Sequence, residues 1–397
     1  MQTCSVVQPA SSIGLLEDPV GEFYGPLFAS LRRRAQRATA IRYVHGLLTV
    51  QGRKTMRSLA EQYGGDAEQQ RMQHFISNSP WDWMPVRQAL RCHLRQSLEP
   101  QAWVVRQMIV PKAGNHSVGV GQAFVRMLGQ TVNSQQAFGA WVASETASSP
   151  MNWRLQLPDA WVTDTDRRRR AGVPEQQAET FPGEAACRSV LDLVDGRRDA
   201  VPLPAVLSVG TLDPVDCVRE FRAAGVPVMM QVGPGLQLLG TDVRLQSPPG
   251  DLISAGRLAD SAGILRRQVC WLDPQLRLRR SCTAAVRVAL PTPQGRVPMV
   301  LLAEWDKPGP KPDRFWLTDV AGRSTAELLR LSKLVLRVDH DFEAIAKDVG
   351  IQDFEGRSFQ GWHRHATLAS IAHAVRALAD LGQMREGLDE TALLEVS

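Results

Sequence analysis

The stretch that most constrains the fold runs from residue 337 to residue 375, because it predicts two helices joined by a polar and aromatic loop. Just upstream, Ser324 and Glu327 form a capping-box pattern that predicts a helix start. Apolar residues then recur at helical spacing, at Leu328, Leu331, Leu334 and Val338. Three acids follow on the same predicted helix, Asp339, Asp341 and Glu343. Gly350 is expected to end this helix, and a second apolar stripe after the loop predicts another helix.

Length and charge limit the organisation and the partners of the chain. Its 397 residues predict two or three domains. The net charge is only +5, with a pI of about 9.0, but the positive charge is concentrated in two regions. These regions are an N-terminal group and a run of four, namely Arg32, Arg33, Arg34, Arg53, Lys54 and Arg57, and then Arg167, Arg168, Arg169 and Arg170. Such clusters favour a polyanion such as DNA, although a solvated face is the alternative for each of them.

The cysteines and the apolar runs indicate the compartment. Six cysteines are scattered without C-x-x-C spacing, which argues against a zinc ribbon and fits reduced thiols in a cytoplasm. Residues 1–22 are polar and broken by Gly and Pro, which predicts a flexible leader. No run of about 18 apolar residues is present, so no membrane span is expected.

The coarse pattern along the chain predicts an α/β protein with a helical N-terminal part. Residues 23–100 show helical spacing and basic charge, as expected of a small DNA-binding domain, but they contain no clear helix-turn-helix signature. Residues 103–110 form an apolar run between prolines, which predicts a strand. Residues 205–232 predict a strand, a helix and a strand, which is typical of a βαβ unit. Residues 233–320 are rich in Gly, Pro and short alternating runs, which predict a β-rich insertion.

The C-terminal motif resembles a known family. The stretch from Phe354 to His365 (FEGRSFQGWHRH) is similar to a segment of the DDE transposases of bacterial insertion sequences, in the group described as DDE superfamily endonuclease. Residues 337–342, 112–120 and 169–174 match further stretches of that family in the same order. The resemblance implies a ribonuclease-H-like mixed sheet with flanking helices in residues 101–232 and 321–382. It places the β-rich insertion before the last catalytic helix and leaves residues 383–397 as a tail. It also implies double-stranded DNA as the partner.

The same resemblance assigns three positions to the catalytic acids, and two of them are not acidic here. Members of the family hold two divalent metals between three carboxylates. The matching positions are Arg106, Ser208 and Asp339. An arginine is a permanent cation, and a serine is a poor ligand for Mg²⁺. We therefore expect a degenerate site that binds no metal, in a DNA-binding protein without nuclease activity that is domesticated as a regulator. We expect it on the nucleoid of a bacterial cytoplasm, as a homodimer.

Two alternatives stay open at this stage. One is an active DDE transposase that uses Mg²⁺ in a rearranged acidic site, for which the candidate acids are Asp164, Asp166, Asp213, Asp216, Asp341 and Glu343. The preferred interpretation of the four loop acids is that they cap helices or lie in loops. A metal site made of histidines is the other alternative, with His363, His365 and His373 as candidates. We favour a structural role in which these histidines bond the loop and pack under Trp362.

Overall fold

The computed structural model describes residues 19–125, 129–175, 177, 181–194, 202–245, 251–307 and 309–395. Most of the predicted leader, residues 1–22, lies outside these ranges. The first helix already begins at Pro19, four residues before the predicted boundary at residue 23. In the described part of the chain, twelve strands form one mixed sheet with helices on its faces.

The N-terminal region is helical, as the spacing predicts. Its helices are α1 (Pro19–Leu27), α2 (Arg34–Thr49), α3 (Met56–Glu61), α4 (Asp66–Ser77) and α5 (Trp83–Ser97). Hydrogen bonds to capping side chains explain where two of these helices begin. The Thr55 hydroxyl accepts a hydrogen bond from the Ser58 N–H at α3, and the Asp82 carboxylate accepts one from the Met84 N–H at α5.

The first half of the sheet defines the fold class. Its strands are β1 (Ala102–Pro111), β2 (Val120–Val125), β3 (Gln130–Ala143), β4 (Ser148–Leu155), β5 (Ala205–Leu207) and β6 (Val228–Val232). Strands β4, β3 and β1 pair antiparallel in that order, and β5 and β6 then continue parallel to β1. This order and these directions make a ribonuclease-H-like α/β sheet, as predicted.

Helices connect these strands and cover them. They are α6 (Asp159–Thr163), α7 (Thr165–Ala171), α8 (Pro182–Leu191) and α9 (Pro214–Ala223). Because β5, α9 and β6 follow one another and the two strands are parallel, the predicted βαβ unit is confirmed. The arginine run lies in α7, which ends at Gly172 in the left-handed conformation (φ +67°).

The β-rich segment extends the same sheet beyond β6. It contains β7 (Gln237–Gly240), β8 (Leu252–Ser254), α10 (Ala255–Ser261), β9 (Arg267–Leu272), β10 (Leu278–Thr292), β11 (Gly295–Trp305) and β12 (Arg314–Thr318). Strand β12 pairs antiparallel with β6, and β11 and β10 follow outward from it. Strands from residues 233–320 therefore share one sheet with the ribonuclease-H-like part. The division into the domains given above stays a proposal.

The two C-terminal helices are α11 (Thr325–Asp341) and α12 (Phe359–Glu395), with a π-helical turn, Phe342–Ala346, after α11. The predicted capping box is present, since the Ser324 hydroxyl accepts from the Glu327 N–H and the Glu327 carboxylate accepts from the Ser324 N–H. As predicted, the helical path carries Asp339, Asp341 and Glu343 and ends at Gly350, where the Gly350 N–H bonds the Lys347 carbonyl and the Ile351 N–H bonds the Ala346 carbonyl. The sequence did not predict that the last turns depart from regular α-helix. The α-helix stops at Asp341, and Glu343 lies in the π turn. Gly350 (φ +75°) adopts a left-handed conformation, and a Cβ added there would meet Lys54.

Helix α12 joins the N-terminal helices to the sheet. It packs against α2, α4 and α5 on one side and against β4 on another. The buried apolar residues of the N-terminal helices and of the sheet form one continuous cluster. In the described conformation the basic helical region is therefore held to the sheet by its own core, and only its outer surface is open to a partner. The backbone of α12 stays helical through Glu395, within the predicted tail 383–397.

Candidate functional site

Three separated parts of the chain bring the three family positions together. Arg106 lies on β1, and the last registered pair between β1 and β5 is Val105 with Leu207. Ser208 is the next residue after β5, so it lies beside Arg106 on the neighbouring parallel strand. Helix α11 packs against β1 and β5, and Asp339 on this helix bonds Arg106. The expected convergence of these positions therefore occurs.

Arg106 is a firmly held cation where the three predicted family positions meet. Its Nε donates to Oδ1 of Asp339 at 2.9 Å, and its Nη2 lies 3.5 Å from a carboxylate oxygen of Glu343. Nη1 donates to the carbonyl of Gln107 at 3.0 Å. The guanidinium carbon stands 3.5 Å from the ring centroid of Phe342. These contacts engage all three guanidinium nitrogens and leave the side chain only 18% exposed.

The charges around Arg106 balance one another. Burial raises the pKa of Asp339, and the neighbouring Arg106 opposes that rise. Burial also lowers the pKa of Arg106, against the pull of the Asp339 carboxylate. The other carboxylate, Glu343, forms a second ion pair with Lys347. Two cations thus face two carboxylates, so the site lacks the excess negative charge that attracts Mg²⁺.

Ser208 is engaged with a neutral partner. Its hydroxyl donates to the side-chain carbonyl of Gln231 on β6, at 2.5 Å. Both residues line a groove of about 680 Å³ at the end of the parallel strands, where Arg314 and Phe315 form part of the opposite wall. Gln231 was missed by the sequence reasoning. The sequence feature that could have identified Gln231 is its position near the end of β6, the strand parallel to β5.

The loop acids lie away from this site in capping or surface roles, as preferred above. Asp164 caps α7 by accepting from the Arg167 N–H, and Asp213 caps α9. Asp166 and Asp216 form short-range ion pairs with Arg169 and Arg219 on their own helices. Within the described ranges, no group of three or more His, Cys, Asp or Glu side chains is arranged to hold a metal ion.

Asp341 has a structural role in spite of its place one turn from the site. It is 5% exposed, and its Oδ2 accepts from both the backbone N–H and the hydroxyl of Ser148, at 2.8 Å each. Its other oxygen lies 3.5 Å from Arg337 and 3.1 Å from His340. These bonds tie the end of α11 to the start of β4, so Asp341 is not free to bind a metal ion.

The motif histidines are buried and have structural contacts. His363 stacks on Trp83 with ring centroids 4.8 Å apart, and it meets the Trp362 ring edge-on. His365 bonds the Tyr43 hydroxyl through Nδ1 and the Gly350 carbonyl through Nε2, each at 2.9 Å. Both lie in the first turns of α12, where the N-terminal helices pack on it.

Because these histidine rings are buried, we expect the free energy of unfolding to fall in acid. Burial lowers the pKa of His365 and of His373 to about 4, against about 6.5 in an unfolded chain. Between these values the unfolded state binds more protons, so stability falls as the pH falls through that window. We expect urea unfolding to show a loss of about 2 kcal/mol per histidine between pH 7 and pH 5. The substitution His365→Asn should remove the part of this pH dependence that His365 contributes. The control His116→Gln, at an exposed histidine, should leave the pH dependence unchanged. Equal pH dependence in the parent and in His365→Asn would contradict the assignment.

The N-terminal basic residues are mostly, but not all, at the surface. Arg32, Arg33 and Arg34 are exposed at the start of α2. Arg53 is exposed and ion-paired with Glu355, and Arg57 is paired with Glu61 within α3. Lys54 requires a correction. It is 4% exposed, its ammonium bonds the Val50 carbonyl and its N–H bonds Asp353. The packing of the loop before Phe354 covers it, so Lys54 does not offer its charge to a partner.

The arginine run divides into two pairs. Arg167 stacks on Trp161, 3.9 Å from its ring centroid, and bonds the Asn115 carbonyl. Arg168 bonds loop carbonyls, including that of Gln177. Arg169 and Arg170 are exposed. The first pair therefore holds α7 in place, and the second lies at the surface, where Arg169 is paired with Asp166 and both guanidiniums are accessible to a polyanion.

Two further basic residues lie near the end of β1. Lys112 donates to the Phe354 carbonyl at 2.8 Å, and burial lowers its pKa. Arg357 is exposed in the same loop. Arg53 reaches this loop through Glu355, so the three cations lie at or against the loop that follows Gly350, beyond the end of β1. Lys112 and Arg357 belong to motifs quoted above, but their charge was not considered there.

A ribonuclease-H-like sheet with three converging positions at the end of its parallel strands defines the class of metal-dependent nucleases and transposases of this fold. The chain belongs to the DDE superfamily endonuclease family, whose model matches residues 26–289. The match covers Arg106 and Ser208 and ends before α11, so it does not include Asp339, which was predicted from the resemblance and which the structure places against Arg106. No curated protein matches the chain. Among the described residues, no helix is both long and apolar enough to span a membrane.

Proposed function

We propose that this transposase-like protein binds double-stranded DNA without cleaving it. The observation that carries the proposal is the Arg106 guanidinium, bonded to Asp339 and close to Glu343 at the place where the family binds metal. Cleavage in this family needs divalent ions between carboxylates, one to activate a nucleophile and one to stabilise the leaving oxygen.

The residues present do not fit a pair of magnesium ions. Mg²⁺ prefers oxygen ligands in octahedral geometry and needs carboxylates to offset its charge. Here one position carries a cation, the second a neutral hydroxyl bonded to Gln231, and the third a carboxylate already paired with Arg106. A metal would have to displace a guanidinium that is also packed on Phe342. We derive no catalytic step through a metal.

The surface supports the DNA-binding part of the proposal. Exposed basic residues lie on the N-terminal helices, on α7 and beside the sheet edge, at Arg32, Arg33, Arg34, Arg53, Arg57, Arg169, Arg170 and Arg357. Basic side chains of this kind contact the phosphate backbone of DNA, and the affinity they provide falls as the salt concentration rises. A protein that occupies transposon ends or promoters in this way would act as a domesticated regulator. We place it on a bacterial nucleoid, as a homodimer.

An active transposase with a rearranged site is the second candidate. The observation in its favour is that the Asp339 and Glu343 side chains are 51% and 56% exposed, so solvent ions reach both. If Arg106 swung away, these two acids could bind one metal. This arrangement still provides no acid on β1 or β5, which is why we prefer the non-catalytic protein.

Two assays on the purified protein test the proposal. In a filter or fluorescence assay, we expect affinity for duplex DNA to fall steeply, by about 10³-fold or more between 50 and 200 mM salt, if six or more phosphates are contacted. Arg169→Gln combined with Arg170→Gln should weaken binding, whereas Arg219→Gln on α9 serves as a surface control. No nicking or strand transfer is expected with Mg²⁺ or Mn²⁺. Metal-dependent nicking that Asp339→Ala abolishes would establish the active transposase instead.

A further inference from the structure

The β-rich segment and the start of α11 enclose a basic groove that none of the family positions uses. It has a volume of about 560 Å³ and lies between β9, β10 and the first turn of α11. Three arginines line it, Arg244, Arg266 and Arg267, together with the polar side chains of Gln268, Ser324 and Thr325. Residues 233–320 as a whole carry twelve Lys or Arg against eight Asp or Glu, so this part is basic beyond the groove itself.

Two of the three guanidiniums are held in fixed positions. Arg244 makes a bidentate bond to Asp242, at 2.8 and 2.6 Å, and a third bond to the Ala285 carbonyl. Arg266 donates to the carbonyls of Gly309 and Pro310 and stacks 4.0 Å from the ring centroid of Trp305. Because Arg266 bonds carbonyls, its charge is not neutralised by a carboxylate. Fixed guanidiniums lose little entropy when they bind an oxyanion.

Arg267 supplies the free cation of the groove. It is exposed on β9 opposite Thr283, and no ion pair joins it to a carboxylate among the described residues. No acid is among the described residues that line the groove, and the two acids bonded to its lining are already engaged, since Asp242 holds Arg244 and Glu327 caps the Ser324 N–H. The N-terminal end of α11, a helix of 17 residues, adds a partial positive charge to the same wall. The net charge of the groove is therefore positive.

From this geometry we infer that the groove binds the oxyanion of a phosphate ester, with Arg267 as its principal ligand. Arginine matches phosphate by its planar set of donors and its permanent charge. The exposed Ile264 at the rim, with Leu265, offers an apolar contact for a sugar. The phosphate comes either from the backbone of bound DNA or from a free phosphorylated molecule. The first source rests on the proposed function and adds a DNA contact outside the three family positions.

Matched charge variants test the groove in the full-length protein. Arg267→Gln removes its free cation. Arg280→Gln is the control, because Arg280 is an exposed arginine on β10, the strand paired with β9, and no ion pair joins it to another of the described residues. In the antiparallel register Arg280 pairs with Cys270, which lies three residues after Arg267 on β9. Because successive side chains of a strand point to opposite faces, the Arg280 side chain lies on the face of the hairpin opposite to that of Arg267. For DNA binding we expect Arg267→Gln to weaken affinity about five- to tenfold and to lower the salt slope by about one, with little change for Arg280→Gln.

A second arm uses inorganic phosphate in a calorimetric titration. Phosphate binding that Arg267→Gln removes and Arg280→Gln retains, with no effect on DNA affinity, assigns the groove to a free phosphorylated ligand. If the parent protein binds no DNA at all but still binds phosphate through Arg267, the proposed function fails and the groove stands. If Arg267→Gln and Arg280→Gln behave alike in both arms, the groove proposal is overturned, whether or not the protein binds DNA.

Discussion

The double substitution Arg106→Asp, Ser208→Asp is expected to give the protein a divalent-metal site, because it restores acids at both non-acidic family positions. The two residues lie side by side at the ends of parallel strands, and Asp339 faces Arg106 across 2.9 Å. Removing the guanidinium frees Asp339, so three carboxylates would meet with Glu343 nearby. Carboxylate oxygens are the ligands that hard divalent ions such as Mg²⁺ and Mn²⁺ prefer. Titration with Mn²⁺, followed by electron paramagnetic resonance, measures the gain over the parent protein.

Two controls separate a designed site from non-specific binding. Adding Asp339→Asn to the double variant should abolish most of the gained affinity, because the third ligand is then neutral. The single variant Ser208→Asp keeps Arg106 in place and should gain little. Fold retention is checked by circular dichroism, since the half-exposed ion pair of Arg106 with Asp339 contributes only about 1 kcal/mol. Equal Mn²⁺ affinity in the parent and the double variant would mean that the native site already binds metal.

Replacing Arg87 by alanine is expected to lower the free energy of unfolding by about 3–5 kcal/mol. Arg87 on α5 is 1% exposed, and burial lowers its pKa to about 9. Its Nε donates to the Thr367 hydroxyl at 2.7 Å, and its terminal nitrogens bond Asn152, the Trp153 carbonyl and the His363 carbonyl. Alanine would leave these buried acceptors without donors and would open a cavity where α5, β4 and α12 meet.

Chemical unfolding of matched variants tests the role of Arg87. Arg87→Met retains most of the volume and lacks the donors, so the difference between Met and Ala isolates the cavity from the hydrogen bonds. Arg57→Ala removes an arginine that is 81% exposed on α3 and should change stability by no more than about 0.5 kcal/mol. A loss below about 1 kcal/mol for Arg87→Ala would show that α5 is not anchored through this side chain.

The sequence was informative wherever the signal is local. The capping box at Ser324, the strand–helix–strand unit in residues 205–232 and the strands of the β-rich segment follow from periodicity, which depends on near neighbours alone. The family positions Arg106, Ser208 and Asp339 were also located from sequence, because short motifs around them preserve the alignment. The π-helical turn Phe342–Ala346 was not predicted, because no local pattern in the sequence distinguishes it from regular α-helix.

The sequence by itself therefore determined the fold class and the family, and it predicts that Arg106 and Ser208 stand at two of the three acidic family positions. Only the tertiary structure decided how these positions are arranged, with the Arg106 guanidinium paired with Asp339, which lies 233 residues further along the chain. It also decided that Lys54 is buried while Arg267 is exposed, although each directly follows an arginine in the sequence. The reason is physical. Whether a charge is paired, buried or open depends on which distant segments pack against it, and that information is absent from its neighbours in sequence.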